Sequence, residues 1–229
     1  MVRLFSALLL NACLLFSTLS AQDLNGKFNI SPLAGVGIPK GEMANDESEA
    51  ILNGDAAFRS TGYKFGINAE YFLMSNLGVG LDFLYIAFGS KDFRLMGVTI
   101  DSRSTISAII FGAHLKYIFI PDGRLKPYVM GGMGIYGSTF EDVEGIVFDV
   151  EEFDRIDVDI DTELFAIFGG GLMYFISPRI SLFGELTLDY AMTDGATVKY
   201  DDLVLGEIGE NYYFIDMAAG INIWFGGIE

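Results

Sequence analysis

The chain has 229 residues, with 14 Lys+Arg against 31 Asp+Glu, for a net charge of −17. That acidity argues against nucleic acid as a partner, and the length suits one domain with no linker to divide it. Hydrophobic residues make up 51% and aromatics 14%, yet beyond the N-terminal stretch every apolar run is broken by Gly, Asp or Asn before the ~18 residues a membrane helix needs.

Residues 1–21 read as an export signal. Arg3 supplies a positive start, Leu4 to Leu19 are rich in Leu and Phe, and Ser20-Ala21-Gln22 suits cleavage after Ala21. A lipid-inserted anchor helix is the alternative, but the apolar stretch is short for a span of ~20 residues. Leu10-Asn11-Ala12-Cys13 resembles a lipoprotein box, but the apolar segment Leu14 to Leu19 follows the cysteine. Cys13 then leaves with the signal, and residues 22–229 form the mature domain without cysteine.

From Gly26 to Phe225 apolar residues alternate with small or polar ones at period two, the spacing of a strand with two unlike faces. The spacing predicts strands over Lys27–Ile38, Gly62–Met74, Leu77–Phe88, Ser104–Ile120, Pro127–Phe140, Glu163–Ile176, Ile180–Met192 and Tyr212–Phe225. Each reaches the ~9–11 residues of a tilted membrane span. Ser75-Asn76, Pro121 to Lys126 and Ser177-Pro178-Arg179 are short, turn-forming links. Pro39–Thr61, Gly89–Arg103, Glu141–Thr162 and Thr193–Asn211 are long. Short and long links in strict alternation are the order of a membrane barrel, with short turns in the periplasm and long loops outside.

The faces agree with that order. Tyr63, Phe65, Ile67, Ala69, Tyr71 and Leu73 point outward on the second strand, Leu77, Val79, Leu81, Phe83, Tyr85 and Ala87 on the third, and Ile109, Phe111, Ala113, Leu115, Tyr117 and Phe119 on the fourth. On the last, Tyr213, Ile215, Met217, Ala219, Ile221, Ile223 and Phe225 share one face. Two aromatic belts are expected, with Tyr71, Tyr117, Phe119, Tyr128, Tyr174, Trp224 and Phe225 low and Tyr63, Tyr85, Tyr136, Tyr190 and Tyr213 high. The fifth and sixth strands keep both facings open, because Gly131, Gly132, Gly134 and Gly169 to Gly171 blur the period. A soluble lipocalin-like barrel would put the mid-strand charges outside and the aromatics inside, which is the poorer arrangement.

The expected fold is an all-β, eight-stranded antiparallel up-and-down transmembrane barrel. In this the chain resembles small outer-membrane β-barrel proteins of the OmpX and OmpA-barrel type. The resemblance spans Gly26 to Phe225 and is architectural. The segment containing Gly220, Ile223, Trp224 and Phe225 resembles the C-terminal signal read by barrel-assembly machinery, although Gly226-Gly227-Ile228-Glu229 follow the aromatic. The resemblance implies residence in a Gram-negative outer membrane, among its lipids and lipopolysaccharide.

The candidate functional groups are lumen charges. Counted up from the short turns, Glu70, Asp82, His114, Lys116 and Glu185 fall at a low level, and Lys64, Asp189 and Asp216 higher. An internal salt-bridge network filling a narrow barrel is one reading; a cation-preferring pore is the other. His114 is the one histidine, placed in the lower half and facing inward, with no Ser, Asp or Glu at a suitable offset on its own strand to complete a triad. No catalytic group and no cofactor is expected. The third long loop is acidic, and Asp157, Asp159 and Asp161 echo the start of a calcium loop without its glycine and distal glutamate. Divalent cations bridging acidic loops to lipopolysaccharide are therefore an expectation about partners, not a defined metal site. The fifth and sixth strands are expected to continue outward as a hairpin turning near Glu152 to Arg155, with β-prone flanks also at Arg94–Ile100 and Ala196–Leu205.

Overall fold

In a computed structural model, described for residues 22–41, 60–89, 93–95, 98–100, 103–144, 157–159, 163–192, 196–200, 203–208 and 211–226, the chain forms a closed barrel. The expected segment 1–21 and the turn near Glu152 to Arg155 lie outside the described residues.

The strands are β1 (Phe28–Gly41), β2 (Gly62–Met74), β3 (Leu77–Gly89), β4 (Phe93–Leu95), β5 (Val98–Ile100), β6 (Arg103–Ile118), β7 (Leu125–Glu144), β8 (Asp157–Asp159), β9 (Glu163–Ser177), β10 (Ile180–Met192), β11 (Ala196–Tyr200), β12 (Leu203–Ile208) and β13 (Asn211–Phe225). Eight of them close the barrel in the order β1-β13-β10-β9-β7-β6-β3-β2, every pair antiparallel. All eight predicted spans are present. On the side of the long links, β1 continues past Ile38 to Gly41 and β7 past Phe140 to Glu144. At the second short turn, β6 stops at Ile118 and β7 already starts at Leu125. The turn between them still pairs across its base, Phe119 N–H donating to the Pro127 carbonyl at 3.0 Å.

Burial runs opposite to that of a soluble protein. Phe65, Ile67, Phe83, Phe111, Leu115, Met133, Phe168 and Leu186 are exposed, whereas Lys64, Glu70, Asp82, His114, Lys116, Asp189 and Asp216 are buried. Only a solvent of lipid on the outer wall makes both halves of that pattern favourable. The alternation also settles β7 and β9. On β7, Lys126, Tyr128 and Met130 point inward and Val129, Met133 and Ile135 outward; on β9, Phe165, Ile167, Met173 and Phe175 point inward and Leu164, Phe168, Leu172 and Ile176 outward.

Three aromatic assignments change as a result. Tyr128, 3% exposed, and Trp224, 3% exposed, belong to the interior and not to the low belt. Tyr136 shares the parity of Tyr128 and packs against the interior cluster rather than joining the high belt. Ala87 keeps its outward parity but is covered, a methyl group flanked in register by Tyr63 and Ser107.

Inward glycines make room for large neighbours. A Cβ on Gly80 would lie 2.5 Å from the His114 ring, and one on Gly171 would lie 2.6 Å from the Tyr128 hydroxyl. Gly80→Ala is therefore expected to push the imidazole off its partners and to cost roughly 1–3 kcal/mol, the usual range for overpacking. Urea unfolding in detergent or vesicles reads that cost.

Beyond the membrane-spanning part, β4 pairs with β5 and β11 with β12, so the second and fourth long links form hairpins as expected. The third differs. β8 pairs with β11, Thr197 opposite Asp159 and Lys199 opposite Asp157, in a sheet ordered β12-β11-β8. The acidic arm that leads into β9 thus adds to a hairpin of the fourth link, while the other arm of the expected hairpin, 145–150, lies outside the described residues.

Candidate functional site in the barrel lumen

The interior is built in layers, and the lowest is a strap. Residues Gln22 to Lys27 turn under the barrel, with Gly26 at φ 71°, a left-handed conformation that glycine takes without a Cβ penalty. Gly26 N–H donates to the Phe72 carbonyl on β2 at 2.9 Å, and Gln22 Nε2 donates to the Pro178 carbonyl after β9 at 2.5 Å. β2 and β9 stand opposite each other in the barrel order, so the strap crosses the mouth along a diameter. Lys126, fully buried, donates to the carbonyls of Pro121 and Gln22, and its ammonium lies 5.6 Å from the Phe175 ring. The strap's own Leu24 joins Phe72, Phe175 and Trp224 in an apolar floor, with Trp224 5.5 Å from Phe72 and 5.3 Å from Phe175 between ring centroids.

Asp23 anchors the strap from outside the membrane. Its carboxylate accepts from the Asn25 N–H at 3.0 Å and the Ser75 hydroxyl at 2.7 Å. These bonds, the Asn25 one foremost, hold its pKa below the ordinary 3.8. A lowered acid contributes stability above its unfolded pKa and loses it as pH falls through the folded value. Amide exchange at Asn25, corrected for intrinsic rate, is expected to speed up as pH drops below about 4, and to be fast already at neutral pH in Asp23→Ala.

A chain of polar side chains rises from the floor. Ser181 Oγ accepts from Trp224 Nε1 at 2.9 Å and from Asn222 Nδ2 at 2.8 Å. Ser31 Oγ lies 2.6 Å from Asn222 Oδ1 and 2.7 Å from Asn29 Oδ1 and donates to one of them. Asn29 Nδ2 donates to Glu70 Oε2 at 3.0 Å.

Glu70 is the hub of the next layer. Its carboxylate also meets His114 Nε2 at 2.9 Å and pairs with the Lys116 ammonium. His114 Nδ1 meets Asp82 Oδ2 at 2.7 Å. Carboxylates only accept when ionised, so a ring carrying both protons satisfies both contacts. Lys116 also lies 4.5 Å over the Tyr128 ring, and the Tyr128 hydroxyl donates to Glu185 Oε2 at 3.0 Å. The residues of the low level are thus brought together from β2, β3, β6 and β10, with Tyr128 of β7 joining Glu185 to Lys116.

The higher level is a separate group. The Lys64 ammonium pairs with Asp216 and lies 3.5 Å from Asp189 Oδ2, all three about 1% exposed. Towards the long loops, Ile86, Phe88 and Phe214 close over it, Phe88 and Phe214 edge to face at 5.4 Å.

Several partners escape the sequence reading. Tyr128 is hidden because the glycines of β7 obscure its facing. Asn29, Ser31 and Ser181 carry no charge to draw attention, although their period places them on the same face as the charged residues. Among the assembly-signal residues, Gly220 faces the Phe183 ring and pairs in register with Leu33. Ile223 and Phe225 face lipid, and Trp224 is in the floor. Asp157 and Asp159 lie in β8, and Asp161 falls outside the described residues.

No curated protein matches the chain. Among solved structures it is similar to OprG from Pseudomonas aeruginosa (TM-score 0.56, 14% identity, 90% of this chain and 99% of that one). It is similar to Neisserial surface protein A (0.53, 16%, 88% and 100%) and to a major outer membrane protein from Thermus thermophilus (0.52, 15%, 86% and 99%). At such identities the likeness concerns the fold. A family model described as outer membrane protein beta-barrel domain matches residues 8–209, and with a lipid-facing wall, a charged interior and that match, the chain belongs to this family of outer-membrane barrels.

Proposed function

We propose that the protein is a non-catalytic outer-membrane barrel whose lumen is plugged by its own side chains and whose acidic outer loops serve surface interaction or envelope stability. One observation carries this reading: the Lys64 group, the Glu70 group and the aromatic floor stack in succession between the long loops and the short turns. Recording in planar bilayers tests it. The expected result is no stable conductance; a steady cation-selective current overturns the plug and favours the pore reading, which the excess of five lumen carboxylates over Lys64, Lys116 and His114 supports.

His114 speaks against an enzyme. Both ring nitrogens are engaged by carboxylates, so neither is free to activate a hydroxyl or a water. Lipid A mass spectra are expected to be the same with and without the protein. Outside the barrel, β-paired extensions offer edges to which a partner strand can add. The acidic loops face lipopolysaccharide in this reading and hold divalent cations between them. The N-terminus of the exported protein is Gln22, and the segment ending at Phe225 serves barrel-assembly machinery. Each of these belongs to the proposal.

A further inference from the structure

We propose that the periplasmic rim holds one anionic phospholipid headgroup between Arg124 and Arg179, at the lower end of β9. The first observation is a reversal of charge. The chain as a whole is acidic, with 31 Asp+Glu against 14 Lys+Arg. In the strap and the short turns the described residues carry Lys27, Arg124, Lys126 and Arg179 against only Asp23 and Asp122. Both acids are already matched. Lys27 stands within electrostatic reach of Asp23, and Lys126 within reach of Asp122. Arg124 and Arg179 are left over, and neither forms an ion pair with a carboxylate of the described residues.

The second observation is position. The Arg124 carbonyl accepts from the Phe175 N–H of β9 at 2.9 Å, and the Arg179 carbonyl accepts from the Trp224 N–H of β13 at 2.9 Å. The turn carrying Arg179 leads from β9 to β10 and is also held by the strap, through the bond from Gln22 to the Pro178 carbonyl. Both arginines therefore start from fixed backbone on either side of β9, two strand spacings or ~10 Å apart across the sheet. Arg179 is exposed and Arg124 half-buried. The residue after each, Leu125 and Ile180, is exposed on the lipid-facing wall, as is Ile176 of β9. The two arginines thus stand where the apolar wall ends, at the depth of the headgroups.

Chemistry selects the occupant. A guanidinium fork matches phosphate oxygens two bonds at a time. A headgroup with net negative charge neutralises the pair, whereas a zwitterionic one brings its own ammonium to the same place. A free phosphate gains nothing from Leu125, Ile176 and Ile180, while a lipid lays its acyl chains along them. The site requires the short turns to face the periplasm and is independent of whether the lumen conducts.

Native mass spectrometry of the barrel in an uncharged detergent at neutral pH tests this. The probes are phosphatidylglycerol and phosphatidylethanolamine with the same acyl chains. One phosphatidylglycerol is expected to be retained about ten-fold more tightly than phosphatidylethanolamine, a preference that falls with added salt. Arg124→Gln combined with Arg179→Gln should abolish the preference. Arg124→Lys combined with Arg179→Lys should keep part of it, because the charge stays and the fork is lost. Neither arginine belongs to the interior, so Trp224 emission should match the parent in both variants. Equal retention of the two lipids, or a preference that survives in the glutamine pair, overturns the proposal. So does displacement of the lipid, at constant ionic strength, by inorganic phosphate or by soluble peptidoglycan fragments.

Discussion

Lys64→Met is expected to destabilise the barrel by roughly 3–5 kcal/mol, the usual result of removing one partner from a buried ion pair. Methionine matches the lysine stem in length but leaves Asp189 and Asp216 facing each other with their countercharge gone. Their combined burial prevents water from taking over. Urea unfolding in lipid vesicles gives the measurement, and the single tryptophan, Trp224, is a built-in reporter between Phe72 and Phe175. Adding Asp189→Asn and Asp216→Asn to Lys64→Met should recover most of the loss, because the triple variant buries no charge at this level. Wild-type stability in the single variant would show that the upper ion pairs carry no weight in holding the barrel.

Glu70→Ala is the second large effect. One carboxylate serves Asn29, His114 and Lys116, so its removal orphans donors on β1 and β6 at once. A loss of about 3–5 kcal/mol is expected, most of it from leaving the buried Lys116 ammonium without its pair. Glu70→Gln should cost less, since the amide oxygen still accepts one bond. Asp82→Asn should cost less than Glu70→Ala, because Asp82 serves His114 alone among the described contacts. The order of the three unfolding midpoints, Glu70→Ala lowest, checks the hub assignment. Equal effects from Glu70→Ala and Asp82→Asn would make the network a set of independent pairs.

The barrel was legible because lipid outside and charge inside force every spanning residue to one side or the other. That constraint repeats along Gly62–Met74 and Ile180–Met192, whose observed bounds equal the expected ones. It fails where side chains are missing. Gly131, Gly132 and Gly134 carry no polarity, so the facing of β7 needed the backbone, and with it the interior position of Tyr128. Depth along the strands grouped the charges into two levels, and the structure brings Glu70, His114 and Lys116 together in one and Lys64, Asp189 and Asp216 in the other. Which atom meets which depended on the stagger between strands, which period-two reading does not supply. The pairing of β8 with β11 joins segments of two different links. Local pattern marks each segment as β-prone, and the proximity created by barrel closure supplies a partner from the other link.

The strap beneath the barrel ties the order of assembly to the arrival of the last strand. Its seat draws Phe72 from β2, Lys126 from β7, Phe175 and Pro178 from β9 and its turn, and Trp224 from β13. Residues Gln22 to Lys27 therefore lack a complete seat until the last strand has arrived and joined β1. Leu24, fully buried in the finished protein, stays exposed in every open-seam intermediate. Protection of the Leu24 peptide bond from a periplasmic protease thus marks the moment the seam closes, and a chain stalled before β13 should be cut at the strap while its outer loops remain intact.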